Sequence, residues 1–237
     1  MPVAVVTGAA GGLGIEITAR LSRDGYFVAA LDITADATPE CDSVTRWQCD
    51  VTDRGRVEQV VAEIAVRYGG IDVLVNNAGL LTGRSSFLDT TSEEMHRVFA
   101  VNAVGALVMT QTCVPHLRES GRARVVNVAS RTFFTGGPGQ LAYVASKGAL
   151  IGMTRVMARE LGSHEITVNA VMPAQVATPG TTVHSGPDDF AKTMSQQAIR
   201  RSVTPADFAG LVAFVASPDA SMITGQTLVC DGGALMH

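Results

Sequence analysis

The chain has 237 residues, 46% of them hydrophobic and 17% charged, enough apolar material for a buried core and too apolar for a disordered protein. A net charge of −4, with no basic run longer than Arg200-Arg201, excludes an electrostatic footprint for nucleic acid. The cysteines at 41, 49, 113 and 230 form no CxxC pair, and no His, Cys or carboxylate spacing makes a metal site.

In chain order, strand-like runs occur at 3–6, 26–32, 46–51, 71–76, 124–130, 166–173 and 227–233. None alternates strictly, which suits strands covered on both faces. Helical patterns lie between them at 13–24, 53–68, 92–118, 143–161 and 204–216, with Pro115 expected to bend or end the third. Strands alternating with helices predict a single α/β domain, a doubly wound parallel sheet of about seven strands with helices on both faces. The stretch 174–190 is rich in Gly, Pro, Ser and Thr and is expected to form a loop, with a substrate lid over about 174–198. Strand pattern from Val3 leaves no room for a secretory signal. No apolar run is read as a membrane span, so a cytoplasmic protein is expected.

The first strand runs into TGAAGGLG and then a helix. Gly8, Gly12 and Gly14, with Leu13 between the last two, suit a tight turn that admits a phosphate to backbone N–H groups at a helix N-terminus. Asp32 ends the second strand 18 residues after Gly14, where a carboxylate can accept from both ribose hydroxyls and repel a 2′-phosphate. No Lys or Arg occupies 9–13 or 33–38, so the cofactor is expected to be NAD(H) rather than NADP(H). Asp50-Val51 follow the third strand, where adenine contact and a helix N-cap near Asp53 are both available readings. Asn77, Ala78 and Gly79 of NNAG follow the fourth strand and serve either cofactor contact or support of the sheet end.

Tyr143 and Lys147 are four apart and share one helix face. A lysine ammonium there is expected to lower the tyrosine pKa and make the phenol a proton carrier. Ser130, at the end of a strand 13 residues earlier, is placed to hold the substrate oxygen.

TGAAGGLG, Asp32, NNAG, Asn102, Ser130, YVASK (143–147) and ITGQTLVCDGG (223–233) occur together in an order and spacing that resemble the short-chain dehydrogenase/reductase family over nearly the whole chain. The resemblance implies an NAD(P)-dependent oxidoreductase, a Rossmann-type fold and a homotetramer. It implies that Asn102, Ser130, Tyr143 and Lys147 are catalytic, with Asn102 binding a relay water and Lys147 the nicotinamide ribose. Pro173, Val176 and Thr178 would contact the nicotinamide. Ala174 stands where the family usually has glycine. The tail and the 173–182 loop, PAQVATPGTT, are particularly similar to NAD-dependent 1-phenylethanol dehydrogenases, while 3-oxoacyl-carrier-protein reductases share much of the same tail.

Position then suggests a pocket lined by Leu80, Arg131, Phe133, Phe134, Leu141 and His184, apolar enough for a hydrophobic or aryl ketone. The activity expected is interconversion of a small-molecule secondary alcohol and ketone. A 3-oxoacyl-thioester reductase and a non-catalytic nucleotide sensor are the alternatives.

Overall fold

The computed structural model describes residues 1–34 and 41–236; positions 35–38 of the expected base-free stretch fall outside the described residues. Seven strands form one parallel sheet: β1 (Val3–Thr7), β2 (Phe27–Asp32), β3 (Val44–Gln48), β4 (Val73–Asn76), β5 (Arg124–Val128), β6 (Thr167–Pro173) and β7 (Thr227–Cys230). Their order is β3-β2-β1-β4-β5-β6-β7. The order reverses between β1 and β4, so a crevice opens at the carboxyl ends of those strands, the usual ligand site of an open α/β sheet.

Helices α1 (Gly12–Arg23), α2 (Arg54–Tyr68), α3 (Ser92–Phe99), α4 (Ala106–Arg118), α5 (Thr132–Thr135), α6 (Leu141–Leu161), α7 (Pro179–Thr182), α8 (Pro187–Ser195) and α9 (Pro205–Ala216) connect the strands. Val5, Leu31, Leu74 and Val125 pack with Val60, Ile64, Met109 and Leu117 from α2 and α4 on one face. Their strand neighbours Val6, Ala30, Val75 and Val126 pack with Ile17 and Leu21 of α1 and with Phe208 and Val212 of α9 on the other. The five inner strands, β1, β2, β4, β5 and β6, thus bury both sets of side chains, which is why their runs show no polar alternation, while the edge strands β3 and β7 are only partly covered.

The boundaries depart from expectation in three places. β3 begins at Val44 and ends at Gln48, so Cys49, Asp50 and Val51 lie beyond it. The 92–118 helix contains a π-helical segment, Ala100–Gly105, and α4 runs through Pro115 to Arg118 instead of ending there. The stretch 174–190 is not a bare loop. Thr178 caps α7, Pro179 and Pro187 sit in the first turns of α7 and α8, and α8 runs on to Ser195.

The run Ser92–Arg118 is also long and apolar enough to cross a membrane, contrary to the reading of the sequence. Half of its apolar window is buried, with Met109, Cys113 and Leu117 in the core under the sheet. Its apolar character belongs to a core helix.

Candidate active site

The turn after β1 forms a narrow cradle. Gly8 has φ +63°, and a Cβ there would lie 2.8 Å from the Cα of Ala78. A Cβ on Gly12 would lie 2.6 Å from Cβ of Thr178, and one on Gly14 would overlap the Gly8 carbonyl oxygen. Gly11, the N-cap of α1, offers no side-chain acceptor, so the first-turn N–H groups have no side-chain cap. Such an end suits an anion. Asp32, at the end of β2, accepts from the Ala10 N–H at 2.9 Å and from the Thr34 N–H and hydroxyl, each at 3.1 Å. Its carboxylate therefore fixes the cradle to the strand end and keeps lone pairs at the rim.

Asp50 is exposed and accepts from the N–H (2.8 Å) and hydroxyl (2.7 Å) of Thr52. It lines a cavity of about 430 Å³ with Ile33, Gln48, Cys49 and Arg56. Arg56 is a residue that sequence reasoning missed; its Nε donates to the Gln48 carbonyl at 3.0 Å. The helix-cap reading belongs to Asp53, which accepts from the Arg56 N–H. Val51 buries its side chain against Gly105, where a Cβ would come within 2.6 Å. Asn77 donates to the carbonyls of Thr7 (3.0 Å) and Gly8 (2.9 Å), and the N–H of Ala78 meets the Thr7 hydroxyl at 3.0 Å. NNAG thus supports the sheet end and the cradle. The space above Gly79 is bounded by Lys147 Nζ and Asn102 Oδ1. Together the cradle, Asp32 and the second cavity fit a dinucleotide.

β5 delivers Ser130, and α6 delivers Tyr143 and, one turn on, Lys147. A buried chain of amides and hydroxyls anchors α6 to the sheet: Asn76 donates to Asn127 at 2.9 Å, Asn127 to Thr154 at 2.9 Å, and Thr154 to the Leu150 carbonyl at 2.8 Å. Ser130 pairs with the Thr132 hydroxyl at 2.8 Å. Ser130 and Tyr143 both face a cavity of about 450 Å³.

Lys147 is buried, and its Nζ donates to the Val128 carbonyl at 2.6 Å while lying 5.9 Å from the Tyr143 ring centroid. Burial pushes its pKa down to about 8. The expected lowering of the Tyr143 pKa is not what the structure gives. Burial pushes the phenol up, and the nearby Ser130 hydroxyl pulls it partly back.

Asn102 sits in the π-helical segment with its side chain fully engaged. It accepts from the Leu80 N–H at 2.7 Å and donates to the Leu80 carbonyl at 3.1 Å and to Ser146 at 2.9 Å. Ser146 in turn donates to the Tyr143 carbonyl at 2.7 Å. The side chain ties the loop after Gly79 to the helix that carries Tyr143.

Of the expected pocket residues, Arg131 and His184 line the cavity, and Leu80, Phe133, Phe134 and Leu141 do not. The reason is helical geometry. Thr132 and Thr135, three apart on α5, face the cavity, which turns Phe133 and Phe134 outward. Phe133 packs over Gly148 of α6 and meets Phe134 edge-on at 5.0 Å. Leu141 is exposed at the start of α6, and the backbone of Leu80 is held by Asn102 while Leu81 reaches the cavity. The Thr-x-x-Thr spacing at 132–135 is the signal that would have found this wall; nothing local announces Gln140, Gln175 and Thr193, which join it.

Pro173, Val176 and Thr178 also line the cavity, beside Leu13 of the cradle. Ala174 does not need the freedom of glycine. Its N–H bonds the Cys230 carbonyl at 2.9 Å, extending the β6–β7 ladder, and its φ is not positive. The Val176 carbonyl accepts from the Thr181 hydroxyl at 2.6 Å.

A family model described as enoyl-(acyl carrier protein) reductase matches residues 8–235. The chain is 36% identical over 245 residues to a 3-oxoacyl-[acyl-carrier-protein] reductase of Thermotoga maritima, covering 99% of this chain and 98% of that one. It is 36% identical over 243 residues to the 2-(R)-hydroxypropyl-CoM dehydrogenase of Xanthobacter autotrophicus, covering 97% of each. Among solved structures, a 3-ketoacyl-(acyl-carrier-protein) reductase from Brucella melitensis complexed with NADH superposes with a TM-score of 0.91 at 30% identity, covering 99% of this chain and 98% of that one.

Proposed function

The chain belongs to the short-chain dehydrogenase/reductase family, and from that premise we propose that it interconverts a secondary alcohol and a ketone with NAD(H). The observation that carries the reading is that Ser130 and Tyr143 face one cavity that Leu13 of the glycine turn also lines, with Thr178 of the same lining packed against Gly12. Gly8, Gly12, Leu13 and Gly14 would hold the diphosphate, Asp32 the adenosine ribose, and Asp50 and Val51 the adenine end. Asn77, Ala78, Gly79, Pro173, Val176 and Thr178 would line the path to the nicotinamide, and Lys147 would meet its ribose. NAD(H), when bound, supplies the hydride in reduction and accepts it in oxidation.

In reduction the Ser130 hydroxyl donates to the substrate oxygen and the Tyr143 phenol gives that oxygen its proton. A phenol raised by burial is protonated at neutral pH and ready for this direction. In oxidation Tyr143 takes the proton back. Asn102 positions Leu80 and, through Ser146, the turn that carries Tyr143. The 174–198 segment, with α7 and α8 on one side of the cavity, acts as the lid.

The aryl preference expected from Phe133, Phe134 and Leu141 loses its basis, because those side chains lie outside the cavity. A 3-oxoacyl-thioester substrate is the second reading, favoured by the names of the Thermotoga and Brucella relatives. A homotetramer and a cytoplasmic site belong to the same proposal, the latter resting on four unpaired cysteines.

The test is NADH oxidation over a panel of simple ketones and acetoacetyl thioesters, with Tyr143→Phe as control. The variant is expected to lose about 10²- to 10⁴-fold in kcat with NADH binding little changed. Thioester turnover above that of all simple ketones selects the second reading. No turnover on the whole panel supports a nucleotide sensor and sinks the enzyme proposal.

A further inference from the structure

Arg131 directly follows Ser130, and its side chain has no role in the chemistry above. It is only 9% exposed and lines the 450 Å³ cavity. Among the described residues its guanidinium donates no hydrogen bond. Its one ion pair there is with Asp231, at 3.7 Å. Asp231 is already engaged, accepting from the N–H groups of Gly233 (3.0 Å), Ala234 (3.2 Å) and Leu235 (2.9 Å). A guanidinium used to clamp the tail would show short, paired contacts, near 2.7–2.9 Å as such bonds typically are. The side chain keeps 11% of its surface exposed and lines the cavity, so its guanidinium donors, with no acceptor among the described residues, are open to a ligand there.

The rest of the wall points the same way. The charged lining residues are Arg84, Arg131 and Lys192 against one carboxylate, Asp189, in a chain whose net charge is −4. Asp231 offsets part of this from behind Arg131 and leaves the donors free.

We propose that Arg131 is the anion anchor of the substrate site, and that the substrate is a small ketone or secondary alcohol bearing a carboxylate or sulfonate. Such a group accepts two parallel N–H bonds from the guanidinium fork. Ser130 and Arg131 are consecutive, so their Cα atoms stand about 3.8 Å apart. Both line the same cavity of about 450 Å³, so the anion and the reacting carbonyl belong to one molecule compact enough to fit it. A thioester on a long carrier places its phosphate far from the carbonyl and leaves Arg131 unmatched. The inference rests on the proposed function for the identity of the reaction, and the binding of the anion stands apart from it.

The experiment has two arms. In the first, pentanoate, pentanesulfonate and the neutral pentanamide are titrated calorimetrically into the protein with and without NADH, so that no chemistry is involved. Saturable binding of the anions but not of the amide is expected, weakened about tenfold to a hundredfold in Arg131→Met and partly restored in Arg131→Lys. NADH affinity is expected to be the same in all three proteins. In the second arm, kcat/KM is compared for 3-oxobutanoate and 4-oxopentanoate, for their methyl esters and for acetoacetyl-N-acetylcysteamine. The wild type is expected to favour the acids by about tenfold or more, and Arg131→Met to lose that preference.

Equal binding of amide and anion, or equal turnover of ester and acid, overturns the anchor while leaving the oxidoreductase reading intact. Anion binding that depends on Arg131, without turnover of any ketone, upholds the anchor and removes the reaction. If Arg131→Met does not fold, the wild-type comparison of charged and neutral ligands decides by itself.

Discussion

Lys147 gives a prediction that needs no substrate. The residue is 3% exposed, and its pKa falls from 10.5 to about 8 because burial disfavours the charged form. That gap corresponds to about 3 kcal/mol. The sign follows from proton binding. Between pH 8 and 10.5 the unfolded chain holds the lysine proton and the folded one releases it, so stability rises with pH through this window. Below pH 8 both states are protonated and the full cost is present. Lys147→Met removes the cost at every pH. Tyr26, Cys49 and Cys113, whose pKa values burial raises, act in the opposite sense but equally in both proteins. The difference in unfolding free energy between variant and wild type should therefore shrink by about 2 kcal/mol from pH 7 to 9.5. Urea denaturation of the cofactor-free proteins at half-unit pH steps measures it. A difference that stays flat would refute the depressed lysine, and with it the view that the apoprotein holds Lys147 against the Val128 carbonyl at a cost.

Two further outcomes bear on the cofactor. Asp32→Asn keeps an oxygen for the Ala10 N–H and removes the charge, so the ratio of kcat/KM for NADH over NADPH should fall by about tenfold or more, like charges in contact costing several kcal/mol; an unchanged ratio would show that the carboxylate does not select the cofactor. Gly8→Ala meets both a φ of +63° and the Ala78 Cα at 2.8 Å. It should cost about 1–3 kcal/mol in thermal unfolding and weaken NADH binding by fluorescence titration; an alanine variant as stable as the wild type would mean that the turn relaxes freely.

The sequence carried much of the fold because its signals are local. Double burial makes the inner strands near-continuous apolar runs, and caps such as Asp53 and Thr204 mark where α2 and α9 begin. It misjudged 174–190, where the Gly, Pro, Ser and Thr read as loop residues are in part the caps and first turns of α7 and α8. The same composition serves a loop and a short capped helix, and only contacts with the rest of the molecule separate them.

By itself the sequence determined the sheet, the glycine cradle, the acid at the end of β2 and the pairing of Tyr143 with Lys147. A turn, a strand end and a four-residue helical spacing are each set by neighbours in the chain. Tertiary structure decided the electrostatics and the lining of the site. The Val128 carbonyl, not the tyrosine, receives the Lys147 ammonium. Thr132 and Thr135 replaced Phe133 and Phe134 as the wall, because the orientation of a single short turn fixes which face looks inward. Arg131 came to lie beside Asp231, 100 residues further along, where burial and the lack of short contacts left its donors for a ligand. Burial and long-range contact exist only once the chain is folded, and they govern both pKa and specificity.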